Sequence, residues 1–165
     1  MAKVVLKLGD DVSTDIIYPG RFMATVLPSE TSQYAFADLN DFNTKLKSGA
    51  IAPGSVIVAG RNFGCGSSRE QAASCLKAPG LVVVARAFAR IFLQNSINLG
   101  LATIICPTIE ATEGDELTIT RTEVVNETAG RHFVIVPLPA ARQAIIEAGG
   151  LIPYTRQILI AAQRR

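Results

Sequence analysis

The stretch Val56-Ile57-Val58-Ala59-Gly60-Arg61-Asn62-Phe63-Gly64-Cys65-Gly66-Ser67-Ser68-Arg69-Glu70-Gln71 decides the fold. Its first four residues are apolar without alternation, the pattern of a short strand buried on both faces. Glycines at 60, 64 and 66 then let the backbone turn sharply and approach other groups closely. Ser67 with Glu70, and Ser68 with Gln71, have the spacing of a capping box, so a helix is predicted over 67–77, ended by Pro79-Gly80. A buried strand, a glycine loop and a helix in that order make an α/β unit.

Upstream of this unit, Val4-Val5-Leu6-Lys7-Leu8 reads as an opening strand stopped by Gly9-Asp10-Asp11. Residues 14–25 are mostly irregular and hold the turn pair Pro19-Gly20. Ser29 to Leu46 carries a loose helical pattern, with Tyr34, Ala37, Leu39 and Phe42 available for one face. Downstream, Leu81 to Ala85 is a second buried strand, Phe88 to Leu99 suggests a helix closed by Gly100, and Leu101 to Cys106 is a third strand. From Asp115 the rhythm changes. Residues 116–121 alternate, 126–130 are turn-rich and 133–136 are apolar, which predicts an antiparallel hairpin. A last helix is predicted over 139–148, capped by Gly149-Gly150. The expected architecture is one α/β domain over residues 1–165 with mixed strands, a core over 4–155 and a tail over 156–165.

Composition narrows the function. With 48% hydrophobic and 18% charged residues in a chain of 165, a folded domain is expected and disorder is not. The formal net charge of +2 is spread along the chain and Trp is absent, which argues against a nucleic-acid partner. No run approaches the roughly 20 apolar residues of a membrane span, and residues 1–7 lack the pattern of a signal peptide. Three unevenly spaced cysteines, Cys65, Cys75 and Cys106, suit a reducing cytoplasm better than a disulfide framework. The single histidine, His132, is distant in sequence from all three, so no metal held by this chain alone is expected.

The chemistry concentrates in the quoted loop. A helix start offers unpaired amides and partial positive charge to an anion, and Arg69 adds a planar fork suited to a carboxylate. The bland alternative is an ordinary capped helix start with no ligand. The lysine and spacing of a phosphate-binding P-loop are missing, and the glycine spacing does not fit the dinucleotide fingerprint.

Gly64-Cys65-Gly66-Ser67-Ser68-Arg69-Glu70 resembles the Gly-x-Gly-Ser-Ser-Arg-Glu signature of the swivelling domain of the aconitase superfamily. Four further stretches resemble, in order, the small subunits of isopropylmalate dehydratases and homoaconitases. They are residues 9–17 (Gly9-Asp10-Asp11 through Asp15-Ile16-Ile17), Pro19-Gly20-Arg21-Phe22-Met23, residues 95–101 (Asn95-Ser96-Ile97 through Leu101) and residues 149–154 (Gly149-Gly150-Leu151 through Tyr154). The resemblance implies a three-layer β/β/α swivelling domain with a mixed sheet. It implies a hydro-lyase active only beside a large subunit that carries a [4Fe–4S] cluster, acting on a small dicarboxylate. By the same resemblance Ser67 is the catalytic base, Asp15 borders the active site, and Ser68 and Arg69 bind substrate carboxylates. The loop Phe22-Met23-Ala24-Thr25 is expected to touch the group that distinguishes one malate from another. At Ala24 homoaconitases carry arginine, so apolar Phe22 and Met23 with an uncharged Ala24 favour a branched alkyl group. Against the resemblance, Gln71 stands where the family often has histidine. Asp15 as a turn residue, and Phe22 and Met23 as core packing, are the competing readings.

Overall fold

The structure, a computed structural model, describes residues 1–25 and 27–163. Arg164 and Arg165, the end of the expected tail, and Val26 lie outside the described residues.

The continuous apolar run does what its pattern dictates. Strand β2 (Val56–Ala59) is buried along its whole length and lies between β1 (Ala2–Lys7) and β3 (Val82–Ala85), parallel to both. Strand β4 (Ala102–Ile105) continues the parallel set beyond β3. On its other side β1 pairs antiparallel with β5 (Glu116–Ile119), which leads into β6 (Glu123–Asn126) and β7 (Arg131–Val134). The sheet order is β4-β3-β2-β1-β5-β6-β7. An antiparallel bridge from Ile105 to Val136 joins the end of β4 to the segment just after β7, so the sheet folds over itself.

Two apolar layers result. Leu6, Ile57, Val83 and Ala85 point to one face and pack with Ile17, Tyr18, Phe36, Phe42, Leu76 and Phe92 from the helical side. On the opposite face Val4, Val56, Val58 and Val84 pack with Leu117, Val124 and Phe133 of the antiparallel strands. Strand on strand on helix is the three-layer mixed α/β architecture that the resemblance implied.

The helices depart from expectation in three places. The helical pattern over 29–46 breaks into α2 (Pro28–Thr31), a 3-10 turn (Ser32–Tyr34) and α3 (Asn40–Lys47), after α1 (Thr14–Ile17). Phe36 interrupts the pattern with a left-handed backbone, φ 49°; its side chain is buried and its amide donates to Ile17 O at 2.8 Å. Core packing overrides helical continuity there. The helix predicted over 67–77 begins later, as α4 (Gln71–Lys77). Beyond α5 (Arg90–Leu99) and α6 (Ala140–Glu147), the expected tail is largely a helix, α7 (Leu151–Gln163).

The predicted hairpin is a three-stranded meander. The missed strand, β6, follows a tight turn at Arg121-Thr122 that lacks Gly, Pro and Asn. Thr120 replaces them: its Oγ1 accepts the amides of Thr122 at 3.3 Å and Glu123 at 3.1 Å.

Candidate functional site

Two chain segments, 9–14 and 60–67, run side by side beyond the ends of β1 and β2. The Gly60 amide donates to Gly9 O at 3.0 Å, the Gly64 amide to Val12 O at 2.7 Å, and the Thr14 amide to Cys65 O at 2.7 Å. Side chains lock the same seam: Asp10 Oδ1 accepts the Arg61 amide at 2.7 Å and Asp11 Oδ1 accepts Asn62 Nδ2 at 2.8 Å. Gly64 is required by contact as well as conformation. Its φ is +80°, and a Cβ there would stand 2.1 Å from Cγ of buried Phe92.

This seam delivers Ser67, Ser68 and Arg69 to one edge. Ser67 is half-buried, with its amide donating to Thr14 Oγ1 at 3.1 Å and its Oγ 3.0 Å from the same oxygen. Ser68 is exposed, and its carbonyl accepts from Asn95 Nδ2 at 3.1 Å. Arg69 is largely covered, its side chain 17% exposed, and Nη1 forms an ion pair with Asp15 and also reaches Tyr18 O at 3.5 Å. Asp15 is 62% exposed and accepts the Gly20 amide at 3.3 Å through Oδ1. The Arg69 hydrogen bond holds the Asp15 carboxyl below the usual carboxylate range, with desolvation opposing more weakly. A Cβ on Gly20 would lie 3.2 Å from Arg69 Nη2, so the Pro19-Gly20 turn leaves room for the guanidinium.

The capping boxes proposed from spacing do not form. The first helical residue is Gln71, and Glu70 precedes it in helical conformation with no side-chain cap. Ser67 therefore stands ahead of the helix rather than at its positive end. Long-range partners explain the difference: Thr14, Asp15 and Asn95 bind the backbone or side chains of residues 67–69, outcompeting the local cap. The charge facing an anion here comes from Arg69.

The four residues expected to select substrate divide. Phe22 stacks on Tyr34 with ring centroids 4.1 Å apart, lies under the Arg21 guanidinium and packs against the core. Phe22 is only partly buried, so the ring both packs on Tyr34 and keeps an open side beside Met23. Met23 is 44% exposed and lines a 410 Å³ depression with Ser68, Arg69, Glu70, Gln71, Ser74 and Leu99. Ala24 is exposed and Thr25 half-buried. Buried Tyr18 braces this loop, its hydroxyl donating to Phe22 O at 2.9 Å. Thr14, Tyr18, Asn95 and Leu99 carry no role expected from sequence, although Thr14, Asn95 and Leu99 fall in recognised motifs.

The thiols differ sharply in environment. Cys75 and Cys106 are buried, and burial pushes both thiols up from their ordinary value. Cys65 is half-exposed, two residues from Ser67. A maleimide titration of the native chain is expected to modify Cys65 first, with Cys75 and Cys106 reacting only on denaturation; peptide mass analysis reads the order. Among the described residues no three His, Cys, Asp or Glu side chains gather as a metal site, and His132 instead faces Glu123, Nδ1 to Oε2 3.1 Å. No helix among them is long and apolar enough to cross a membrane.

A model of the aconitase C-terminal domain matches residues 12–108, a span that holds the loop with Ser67, Ser68 and Arg69 and the Thr14 and Asp15 that meet it. The chain is 40% identical over 161 residues to the 3-isopropylmalate dehydratase small subunit of Thermodesulfovibrio yellowstonii, covering 94% of this chain and 93% of that one. It is 42% identical over 165 residues to the isopropylmalate/citramalate isomerase small subunit of Methanocaldococcus jannaschii, covering 96% and 95%. A crystal structure of 3-isopropylmalate dehydratase from Methanocaldococcus jannaschii superposes with a TM-score of 0.87 at 38% identity, covering 99% of this chain and 98% of that chain. With that match over more than half of the chain, including the loop and strands β2 to β4, the chain belongs to the aconitase C-terminal domain family.

Proposed function

We propose that this chain is the small subunit of an aconitase-type hydro-lyase that interconverts 2-isopropylmalate and 3-isopropylmalate by loss and re-addition of water, the isomerisation used in leucine biosynthesis. The observation that carries the reading is the gathering of Ser67, Ser68 and the Asp15-held Arg69 on one accessible edge. Relatives of near-equal length named as isopropylmalate dehydratase small subunits support it. The chain acts as one swivelling domain that closes over a large subunit. Its thiols do not suit a cluster: two are buried apart in different apolar layers. A [4Fe–4S] cluster belongs on the large subunit, where it supplies the Lewis acid for the departing hydroxyl. A cytoplasmic setting fits the unpaired thiols.

Within this chain, Ser67 takes the proton from the carbon beside a substrate carboxylate, and the freed electron pair becomes the carbon–carbon double bond. Arg69 and Ser68 hold the carboxylates, so the proton to be removed faces the serine oxygen. Asp15 fixes the guanidinium plane from the side. Returning the proton and hydroxyl to exchanged carbons completes the isomerisation. Met23, with Ala24 and Thr25 beside it, offers an uncharged surface to the alkyl group.

A second reading changes only the alkyl group, because one relative is named for both isopropylmalate and citramalate. Related substrates are 2,3-dimethylmalate and, for a homoaconitase, a tricarboxylate. This chain and its large subunit, mixed anaerobically with each acid, are expected to form an ultraviolet-absorbing unsaturated acid fastest from isopropylmalate. Greater kcat/KM for the tricarboxylate would refute the alkyl-group reading. Turnover by neither subunit combination, with anion binding by this chain alone, would favour a regulatory anion-binding module instead.

A further inference from the structure

We infer that Thr14 is a positioning residue for Ser67, its hydroxyl donating the hydrogen bond that orients the serine oxygen and stabilises it once deprotonated. This rests on the reading of Ser67 as the base.

The direction of the bond follows from counting protons. Thr14 is 1% exposed, so water does not serve its hydroxyl. Its Oγ1 has two lone pairs and one proton. One lone pair accepts the Ser67 amide at 3.1 Å. Among the described residues the remaining side-chain partner is Ser67 Oγ at 3.0 Å. Were Ser67 the donor, Thr14 would hold a buried proton with no acceptor, an arrangement that folded proteins avoid. With Thr14 donating, the buried threonine hydroxyl is fully paired and the proton of half-exposed Ser67 is directed away from Thr14.

The arrangement suits a base. A serine oxygen that has lost its proton can only accept, and Thr14 is already placed to donate without any group moving. Thr14 is itself held by backbone bonds, its amide to Cys65 O at 2.7 Å and its carbonyl accepting from the Tyr18 amide at 2.8 Å. Gly66, at φ +99°, passes so close that a Cβ there would lie 3.4 Å from Thr14 Oγ1. The next residue, Asp15, holds Arg69. One short helix thus sets the serine through its first residue and the arginine through its second.

The test compares Thr14→Val, which keeps shape and removes the hydroxyl, with Thr14→Ser, which keeps the hydroxyl. Each is assembled anaerobically with the large subunit, and co-elution on gel filtration confirms the complex. In Thr14→Val, kcat is expected to fall about a hundredfold, the scale for losing one donor to a developing oxyanion. KM should stay within about threefold, because the bond serves the reaction more than binding. The rising limb of kcat against pH should move to higher pH, since an oxygen with one donor fewer gives up its proton less readily. Thr14→Ser should restore most of the rate and the original limb. Thr14→Val at near wild-type kcat with an unmoved limb overturns the inference, as does equal loss in both variants. Should the valine variant not assemble, Thr14→Cys, a weak donor, faces the same criteria. The underlying reading fails separately, if Ser67→Ala still turns over. An inactive Ser67→Ala beside a fully active Thr14→Val sinks the Thr14 role alone.

Discussion

Ser67→Ala is expected to lower kcat by about 10⁴-fold in the assembled enzyme, the upper range for removing a positioned acid–base group. The oxygen it deletes accepts from Thr14 on one side and is half-exposed on the other, and alanine leaves no proton acceptor in its place. Folding should survive: the Ser67 amide keeps its bond to Thr14 Oγ1, and the side chain lost is small and partly solvated. KM should change little, and the complex with the large subunit should form at normal concentrations. The assay is formation of the unsaturated acid, followed by ultraviolet absorbance, with gel filtration run in parallel. Turnover within tenfold of wild type would remove Ser67 from the chemistry.

Arg69→Gln should be the next most damaging change, with kcat/KM reduced by about 10³-fold. Hydrogen bonds to charged groups contribute about 1.5–3 kcal/mol each, and a guanidinium offers a carboxylate two in parallel. The loss should appear in KM as well as kcat, because the carboxylate is bound both before and during proton removal. Arg69→Lys retains the charge without the fork and is expected to recover only part of the loss. Asp15 sharpens the test. Its carboxylate already pairs with Nη1, and Arg69 is much more covered than Asp15, so the pair holds the fork in place. An Arg69→Lys variant as active as wild type would show that the site needs a positive charge but no particular geometry.

Much of the fold was legible because it depends on local pattern. Apolar runs at 56–59, 81–85 and 101–106 form β2, β3 and β4, and Gly100 closes α5 in the left-handed conformation with φ 73°. Departures occur where side-chain contacts, distant or local, override that pattern. Phe36 breaks a helical stretch to enter the core, Thr120 makes a turn without glycine, and α7 runs through the expected boundary between core and tail at 155–156.

The order of residues alone fixed which groups are available: a glycine-bounded loop carrying Ser67, Ser68 and Arg69 after a buried strand, with Asp15 and the Pro19-Gly20 turn upstream. Spacing could not say where those groups point. Ser67 and Thr14 are 53 positions apart and the other partners across the seam are similarly distant in sequence, and such pairs meet only because β1 and β2 lie parallel with 9–14 and 60–67 continuing beyond them. Tertiary structure likewise placed Phe22 under Arg21 against Tyr34, set Met23 beside Ser68 and Arg69, and moved Ser67 ahead of the helix. Local sequence supplies propensities within a turn or two of chain, whereas the partner of a hydroxyl or guanidinium is chosen by whichever segment the sheet brings alongside.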